Sequence, residues 1–141
     1  IFQTAFKRSY NITVAASAEE AIKLLKENEF HLIITDQKMP KVTGVEFLAQ
    51  ILDDYPDPVR MILTGFSDAE AIIGAINTGK VYKYITKPWN KSELKQIIEE
   101  ALIEFNKERD KKSRIVALEQ ELEAKEQMIQ ELKAQLVSEN G

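Results

Sequence analysis

Residues 31–40 read His-Leu-Ile-Ile-Thr-Asp-Gln-Lys-Met-Pro, an apolar run that ends in a carboxylate at Asp36. Apolar residues at consecutive positions are typical of a strand that is buried on both faces of a parallel sheet. Three further runs, rich in β-branched residues, occupy positions 12–15, 59–63 and 81–85. With residues 31–35, they predict four strands of one sheet.

A helix start follows each predicted strand. Four Ser, Thr or Asn residues stand three positions before a Glu, the spacing of a capping box: Ser17 and Glu20, Thr43 and Glu46, Ser67 and Glu70, and more loosely Asn90 and Glu93. Apolar stripes with helical spacing come next, over 21–25, 45–52, 71–76 and 94–105. Residues 1–6 resemble the end of an earlier helix. The alternation of strand and helix predicts a doubly wound α/β domain with a parallel sheet.

Polar side chains stand at the carboxyl ends of three of these strands, namely Asp36, Thr64 and Lys87. Ligands of open parallel sheets bind beyond those ends. Each residue alone has an ordinary structural explanation, as a turn former, a strand residue or a solvated charge. Together they match the needs of phosphoryl transfer to a carboxylate, in which a hydroxyl and an ammonium take up charge on the phosphoryl oxygens. A cation such as Mg²⁺ would offset the repulsion between carboxylate and phosphate.

The motifs around these residues resemble the receiver domain of two-component response regulators. Residues 32–40, followed by Gly44 and residues 46–48, resemble its phosphoacceptor segment. Residues 61–65 resemble its hydroxyl-bearing strand, and residues 84–89 resemble its Lys-Pro segment. The likeness covers residues 1–105, which we expect to form the receiver domain, while residues 106–141 form a helical linker and short coiled coil.

The resemblance assigns a role to each of these residues. It implies that Asp36 accepts a phosphoryl group from a sensor histidine kinase and that Thr64 and Lys87 contact that group. It also implies that Asp36 and the backbone carbonyl of Lys38 bind Mg²⁺. Tyr84 matches an aromatic switch position, although it could equally be a half-buried strand aromatic. We expect Lys87 to lie within salt-bridge range of Asp36 and the Lys87-Pro88 bond to be cis.

One element of the receiver pattern is not found in the sequence. The implied fold is flavodoxin-like, with strand order 2-1-3-4-5, and its first strand ends in an acidic pair that holds Mg²⁺. We therefore expect that strand and pair upstream of Ile1, or another segment in the same slot, and expect Mg²⁺ only where the pair is supplied. Without the strand, residues 12–15 should be unpaired, weakly paired or displaced, because the slot separates them from residues 31–35.

The last part of the chain has a different pattern. Residues 106–114 carry five basic and two acidic residues, and no Gly or Pro lies between Asn90 and Asn140, so one long helix is predicted. Lys125 is the one polar residue in the pattern that follows. The apolar residues alternate at three- and four-residue spacing and are Ile115, Leu118, Leu122, Ile129, Leu132 and Leu136. These heptad positions predict a parallel homodimer. The alternative is a single solvated signalling helix.

Composition narrows the function classes. The net charge of −4 disfavours direct nucleic-acid binding, and the absence of cysteine fits a reducing cytoplasm. No apolar run is long enough to span a membrane. We expect a phosphoacceptor regulatory domain that relays its change through the last helix to a tail or output domain, and not an enzyme beyond its own phosphorylation and dephosphorylation.

Two alternatives remain open at the level of the sequence. The first is a phosphatase of the haloacid dehalogenase type, which would need a second Asp where this chain has Lys38. It would also need a later acidic pair beyond a strand, and none follows Lys87. The second is a degenerate receiver that acts as a coiled-coil interaction module.

Overall fold

The computed structural model describes residues 2–65, 73 and 80–140. Its helices are α1 (Phe2–Phe6), α2 (Ala18–Glu27), α3 (Gly44–Ile51) and α4 (Lys91–Asn140). Its strands are β1 (Leu32–Asp36), β2 (Val59–Thr64) and β3 (Lys83–Thr86). The helix predicted over 71–76, with its capping pair Ser67 and Glu70, lies outside the described residues.

The described strands form a parallel sheet in the order β1-β2-β3. Leu32 pairs with Val59 at one end of the first ladder, and Met61 pairs with Lys83 at the start of the second. β2 lies between its two neighbours and is largely buried. β3 begins two residues later than its sequence pattern predicts, although the Tyr82 amide already donates to the Arg60 carbonyl at 2.7 Å. This order equals the last three strands of the predicted topology.

Successive side chains of β2 enter two separate apolar clusters. Ile62 packs with residues from α2 and α3, namely Leu25, Val45, Phe47, Leu48 and Ile51. Met61 packs on the opposite face with residues from α1, β3 and α4, namely Phe6, Ile85, Leu94, Ile98 and Ala101. Both faces of the sheet are therefore covered by helices, which explains why the strand sequences are apolar on consecutive positions. The doubly wound α/β fold is confirmed.

The predicted helix starts are visible as caps. The Ser17 hydroxyl accepts from the Glu20 amide at 3.1 Å, and the Thr43 hydroxyl accepts from the Glu46 amide at 3.2 Å. The Asn90 side chain accepts from the amides of both Ser92 and Glu93. Each bond satisfies an amide that has no partner within its own helix, and this fixes where the helix begins.

Residues 12–15 do not form the strand that their β-branched pattern predicts. The structure has no strand over 11–15, and Val14 is 58% exposed. Apolar composition alone does not make a strand, because the backbone also needs a neighbouring strand with which to pair. The expectation that this segment would not pair normally with residues 31–35 is thus confirmed.

The contacts of the chain divide it into two units, Ile1–Phe105 and Asn106–Gly141. The second unit is helical up to Asn140, as part of α4, and every side chain described in it is exposed. The prediction of one long C-terminal helix is confirmed. Within the described ranges, no helix is both long and apolar enough to cross a membrane.

Candidate phosphoacceptor site

The carboxyl ends of the three strands carry the three predicted site residues. Asp36 ends β1, Thr64 ends β2 and Lys87 directly follows β3. Hydrogen bonds continue the two ladders past the strand ends, because the Gln37 amide donates to the Leu63 carbonyl at 2.9 Å and the Lys87 amide donates to the Thr64 carbonyl at 2.8 Å. The backbones that carry the three side chains are therefore held side by side at one edge of the sheet.

Asp36 and Lys87 form an ion pair across this edge. Lys87 Nζ lies 2.6 Å from Asp36 Oδ1, which confirms the predicted salt-bridge range. The two side chains are 49% and 48% exposed, so the pair is open to solvent on one side. A carboxylate in such a position can be reached by a phosphodonor, while the ammonium is already in place to meet new negative charge.

Thr64 lies on the strand between these two residues. It is only 2% exposed, and its hydroxyl donates to the neighbouring Gly65 carbonyl at 3.3 Å. That bond is local and long, so the hydroxyl can exchange it for a stronger acceptor by rotation about one side-chain bond.

The loop between β1 and α3 fixes the backbone around Asp36. The Gly44 amide donates to the Gln37 carbonyl at 2.9 Å, and the Val45 amide donates to Gln37 Oε1 at 3.0 Å. A Cβ atom on Gly44 would lie 2.5 Å from the Asp36 carbonyl oxygen, so only glycine fits there without a shift. Sequence reasoning missed Gln37 as a positioning residue and used Gly44 only as part of a motif. Gln37 carries no sequence signal of its own, because its role depends on where α3 begins.

The same edge supplies an incomplete set of metal ligands. Among the described residues, no three His, Cys, Asp or Glu side chains come together. The oxygen donors expected from the motif are the Asp36 carboxylate and the Lys38 carbonyl. Because Mg²⁺ is often held by one or two carboxylates and keeps several waters, these two groups would fit as part of its ligand shell.

The segment after β3 shapes the remaining border of the site. The Lys87-Pro88 bond is cis, as expected. Tyr84 is half-buried, packs against the cluster around Leu48 and lines a cavity of about 240 Å³ together with Trp89, Glu93 and Ile97. Its position fits both interpretations of this residue, and the switch role stays a prediction.

The single histidine is remote from this chemistry. His31 precedes β1, at the end opposite Asp36, and its ring lies 4.6 Å from the ring of Phe105, centroid to centroid, at 34°. The His31 ring therefore packs against the Phe105 ring.

A family model described as the response regulator receiver domain matches residues 1–99. The chain belongs to the receiver domain family. Its match spans seven tenths of the sequence and includes all three strand ends of the site.

Relatives and solved structures agree with this membership. The hydrogenase transcriptional regulatory protein HoxA of Bradyrhizobium diazoefficiens is 40% identical over 96 residues, which are 68% of this chain and 20% of that protein. The signal receiver domain of an HD domain-containing protein from Pseudomonas fluorescens Pf-5 is 34% identical, with a TM-score of 0.72 over 77% of this chain and 81% of that one. A CheY-like receiver domain from Methanospirillum hungatei JF-1 is 30% identical, with a TM-score of 0.67 over 76% and 85%. The chain spans about a fifth of the length of the curated relatives it matches.

Proposed function

We propose that this receiver domain accepts a phosphoryl group on Asp36 from a sensor histidine kinase in the cytoplasm. The observation that carries the proposal is the 2.6 Å ion pair between Lys87 and Asp36, with Thr64 on the strand between them. Receiver domains take part in two-component signalling and are regulatory. The ordered nucleophile, hydroxyl and ammonium at one sheet edge are the groups that such a transfer requires.

The proposed transfer exchanges one phosphorus bond for another. An Asp36 carboxylate oxygen attacks phosphorus, a P–O bond forms, and the P–N bond to the kinase histidine breaks. The electron pair of the broken bond stays on the imidazole nitrogen. The phosphoryl group adds negative charge beside Asp36, so the Lys87 ammonium moves from the carboxylate to a phosphoryl oxygen, and the Thr64 hydroxyl leaves the Gly65 carbonyl to donate to another.

Mg²⁺ belongs to this reaction in receiver domains generally. When bound, it would neutralise charge between carboxylate and phosphoryl oxygens, and Asp36 and the Lys38 carbonyl are the residues of this chain that would contact it.

The output of the domain would follow from the contacts that Lys87 and Thr64 exchange during the transfer. The Lys87 ammonium leaves the Asp36 carboxylate, and Tyr84 lies three residues before Lys87 on β3. We place the conformational relay at this aromatic residue and at the last helix, which leads toward a tail or output domain.

Phosphate incorporation tests the proposal. The protein is incubated with acetyl phosphate and Mg²⁺, and its intact mass is measured with time. We expect the mass of a single phosphoryl group to appear on the wild-type chain and not on Asp36→Ala. Asp57→Ala, which removes an exposed carboxylate elsewhere, is the matched control and should be labelled like wild type. Equal labelling of wild type and Asp36→Ala would contradict the assignment.

A further inference from the structure

An exposed apolar stripe runs along the part of α4 that belongs to the second unit. Its members are 46–58% exposed, although each is a large aliphatic residue: Ile115, Leu118, Leu122, Ile129, Leu132 and Leu136. They alternate at three- and four-residue spacing, which is the 3.5-residue period of a coiled-coil seam. From residue 115 to residue 136 the stripe is about 32 Å long at 1.5 Å per residue.

We propose that this stripe, which we call the tail seam, pairs in parallel and in register with the tail seam of a second copy of the chain. A seam with a strict heptad period is complementary to itself, because each a or d side chain fits between residues of an identical helix. The pairing needs no phosphoryl group and does not rest on the function proposed for Asp36.

The charges beside the seam favour the parallel orientation. In parallel register, Arg114 at position g faces Glu119 at position e of the partner subunit, an attractive pair. The antiparallel register that sets Ile115 opposite Leu132 leaves Leu136 opposite Lys111. Its pairs at position e, Glu119 with Glu126 and Lys112 with Lys133, are like-charged, and its pairs at position g bring no opposite charges together.

Lys125 explains the one polar position of the seam. Its Nζ lies 3.3 Å from Glu121 Oε1 on the same helix. In a parallel pair, a side chain at position d packs into a hole that is bordered by position e of the facing helix, which here is Glu126 of the partner subunit. Glu121 and Glu126 of the partner subunit would repel one another in this register, and Lys125 lies between them. The lysine therefore offsets the one unfavourable contact of the parallel pair.

The oligomeric state of the whole chain tests the pairing. Sedimentation equilibrium is measured without phosphodonor, from low micromolar to near-millimolar concentration. We expect a reversible dimer, because three heptads give only marginal stability. Leu118→Asp should raise the dissociation constant by at least about tenfold, since it puts a charge into the seam. Val116→Asp, at an exposed apolar position off the seam, should change it by less than about threefold.

Two substitutions test the role of Lys125 in the tail seam. Lys125→Leu should tighten the dimer by about tenfold at high salt, where ions screen Glu121 from Glu126 of the partner subunit, and by less at low salt, because it completes the apolar seam but removes the charge between those carboxylates. Lys125→Glu should weaken it by a similar factor, since it adds a third carboxylate beside Glu121 and Glu126 of the partner subunit. A monomer at all concentrations would overturn the proposal, and so would equal effects of Leu118→Asp and Val116→Asp.

Disulfide trapping decides the orientation. The chain has no cysteine, so a single introduced thiol reports without background. In the parallel pair, Leu118→Cys meets the same position of the partner and should form a covalent dimer under mild oxidation. In the antiparallel register the two thiols would be about 16 Å apart along the axis, and crosslinks would form only in a mixture of Ile115→Cys and Leu132→Cys chains. That second result would overturn the parallel assignment.

Discussion

Lys87 is the residue whose contacts the proposed transfer would change most. In the structure its ammonium is bound to Asp36, and the proposed transfer would give it a new partner with more charge. The same side chain would then contact the carboxylate before transfer and the phosphoryl group after it. Thr64 has no such prior contact with Asp36, because its hydroxyl is bonded to Gly65.

Lys87→Ala should separate phosphorylation from its structural consequence. Trp89 is the only tryptophan of the chain and lies two residues after Lys87, so its fluorescence reports on this region. We expect acetyl phosphate to change the Trp89 emission of the wild type. Lys87→Ala should still gain a phosphoryl group but lose most of that change, because the charge-assisted contact is absent.

Lys83→Ala is the matched control for this experiment, since Lys83 is an exposed lysine on β3, the strand that Lys87 follows. Its emission change should equal that of the wild type. A full change in phosphorylated Lys87→Ala would show that the lysine does not couple the two events.

Tyr10 makes stability depend on alkaline pH. Its hydroxyl donates to Glu99 Oε1 at 2.7 Å, which ties the segment after α1 to α4. Burial, and then the hydrogen bond and charge of Glu99, raise the pKa of Tyr10 from 10.0 to about 12. The folded state therefore favours the neutral phenol. This contribution is fully present below about pH 10 and is lost as the pH rises to about 12.

The free energy of unfolding of the wild type and of Tyr10→Phe, measured by urea denaturation across pH, checks this. The advantage of the wild type should be constant from neutral pH to about pH 10 and should shrink toward about pH 12. A difference that stays constant through that window would refute the assignment. Glu99→Gln should move the loss to lower pH, because it removes the carboxylate that helps to raise the pKa.

At the scale of elements, the junction between β1 and α3 places the Asp36 carboxylate. Gly44 begins α3 directly against the backbone of Asp36, and the Thr43 side chain caps the same helix. The position of the carboxylate is thus set by helix packing as well as by the strand.

Gly44→Ala should destabilise the domain and slow phosphorylation. Its Cβ would meet the Asp36 carbonyl oxygen at 2.5 Å, a backbone atom that the sheet holds in place. We expect a loss of about 1–3 kcal/mol in the free energy of unfolding, as for other overpacked sites. The better helix propensity of alanine recovers at most about 1 kcal/mol of this. Gln50→Ala, at an exposed position of the same helix, should change stability by less than about 0.5 kcal/mol. An unchanged stability of Gly44→Ala would contradict the close approach.

Sequence patterns predict elements well where the cause is local. Ser17, Thr43 and Asn90 cap helices as predicted, because an N-cap depends on residues only two or three positions away. Residues 12–15 were predicted wrongly as a strand, because strand formation depends on a partner that is distant in sequence. Arg60 shows the same limit. It lies in a predicted strand, and it is buried there. This burial lowers the pKa of Arg60, and its Nη2 donates to the Tyr55 carbonyl. Both features depend on tertiary packing and not on the local sequence.

At the scale of the whole molecule, the order of the strands brings the site together. Asp36, Thr64 and Lys87 are far apart in sequence, and they could be predicted to meet because parallel strands share a carboxyl edge. The contacts that hold the loop after β1 could not be predicted in this way. Gln37 supports the loop only because α3 returns to it, and that return is a property of the packed domain.

We propose that Asp36 is the phosphorylated residue of the chain, and chemical mapping of the product tests this most directly. After reaction with acetyl phosphate, an acyl phosphate is reduced with borohydride, which converts a phosphorylated aspartate to homoserine, and the peptides are sequenced by mass spectrometry. We predict homoserine at position 36 and at no other aspartate. Homoserine at another position, or labelling that survives in Asp36→Ala, would contradict the account.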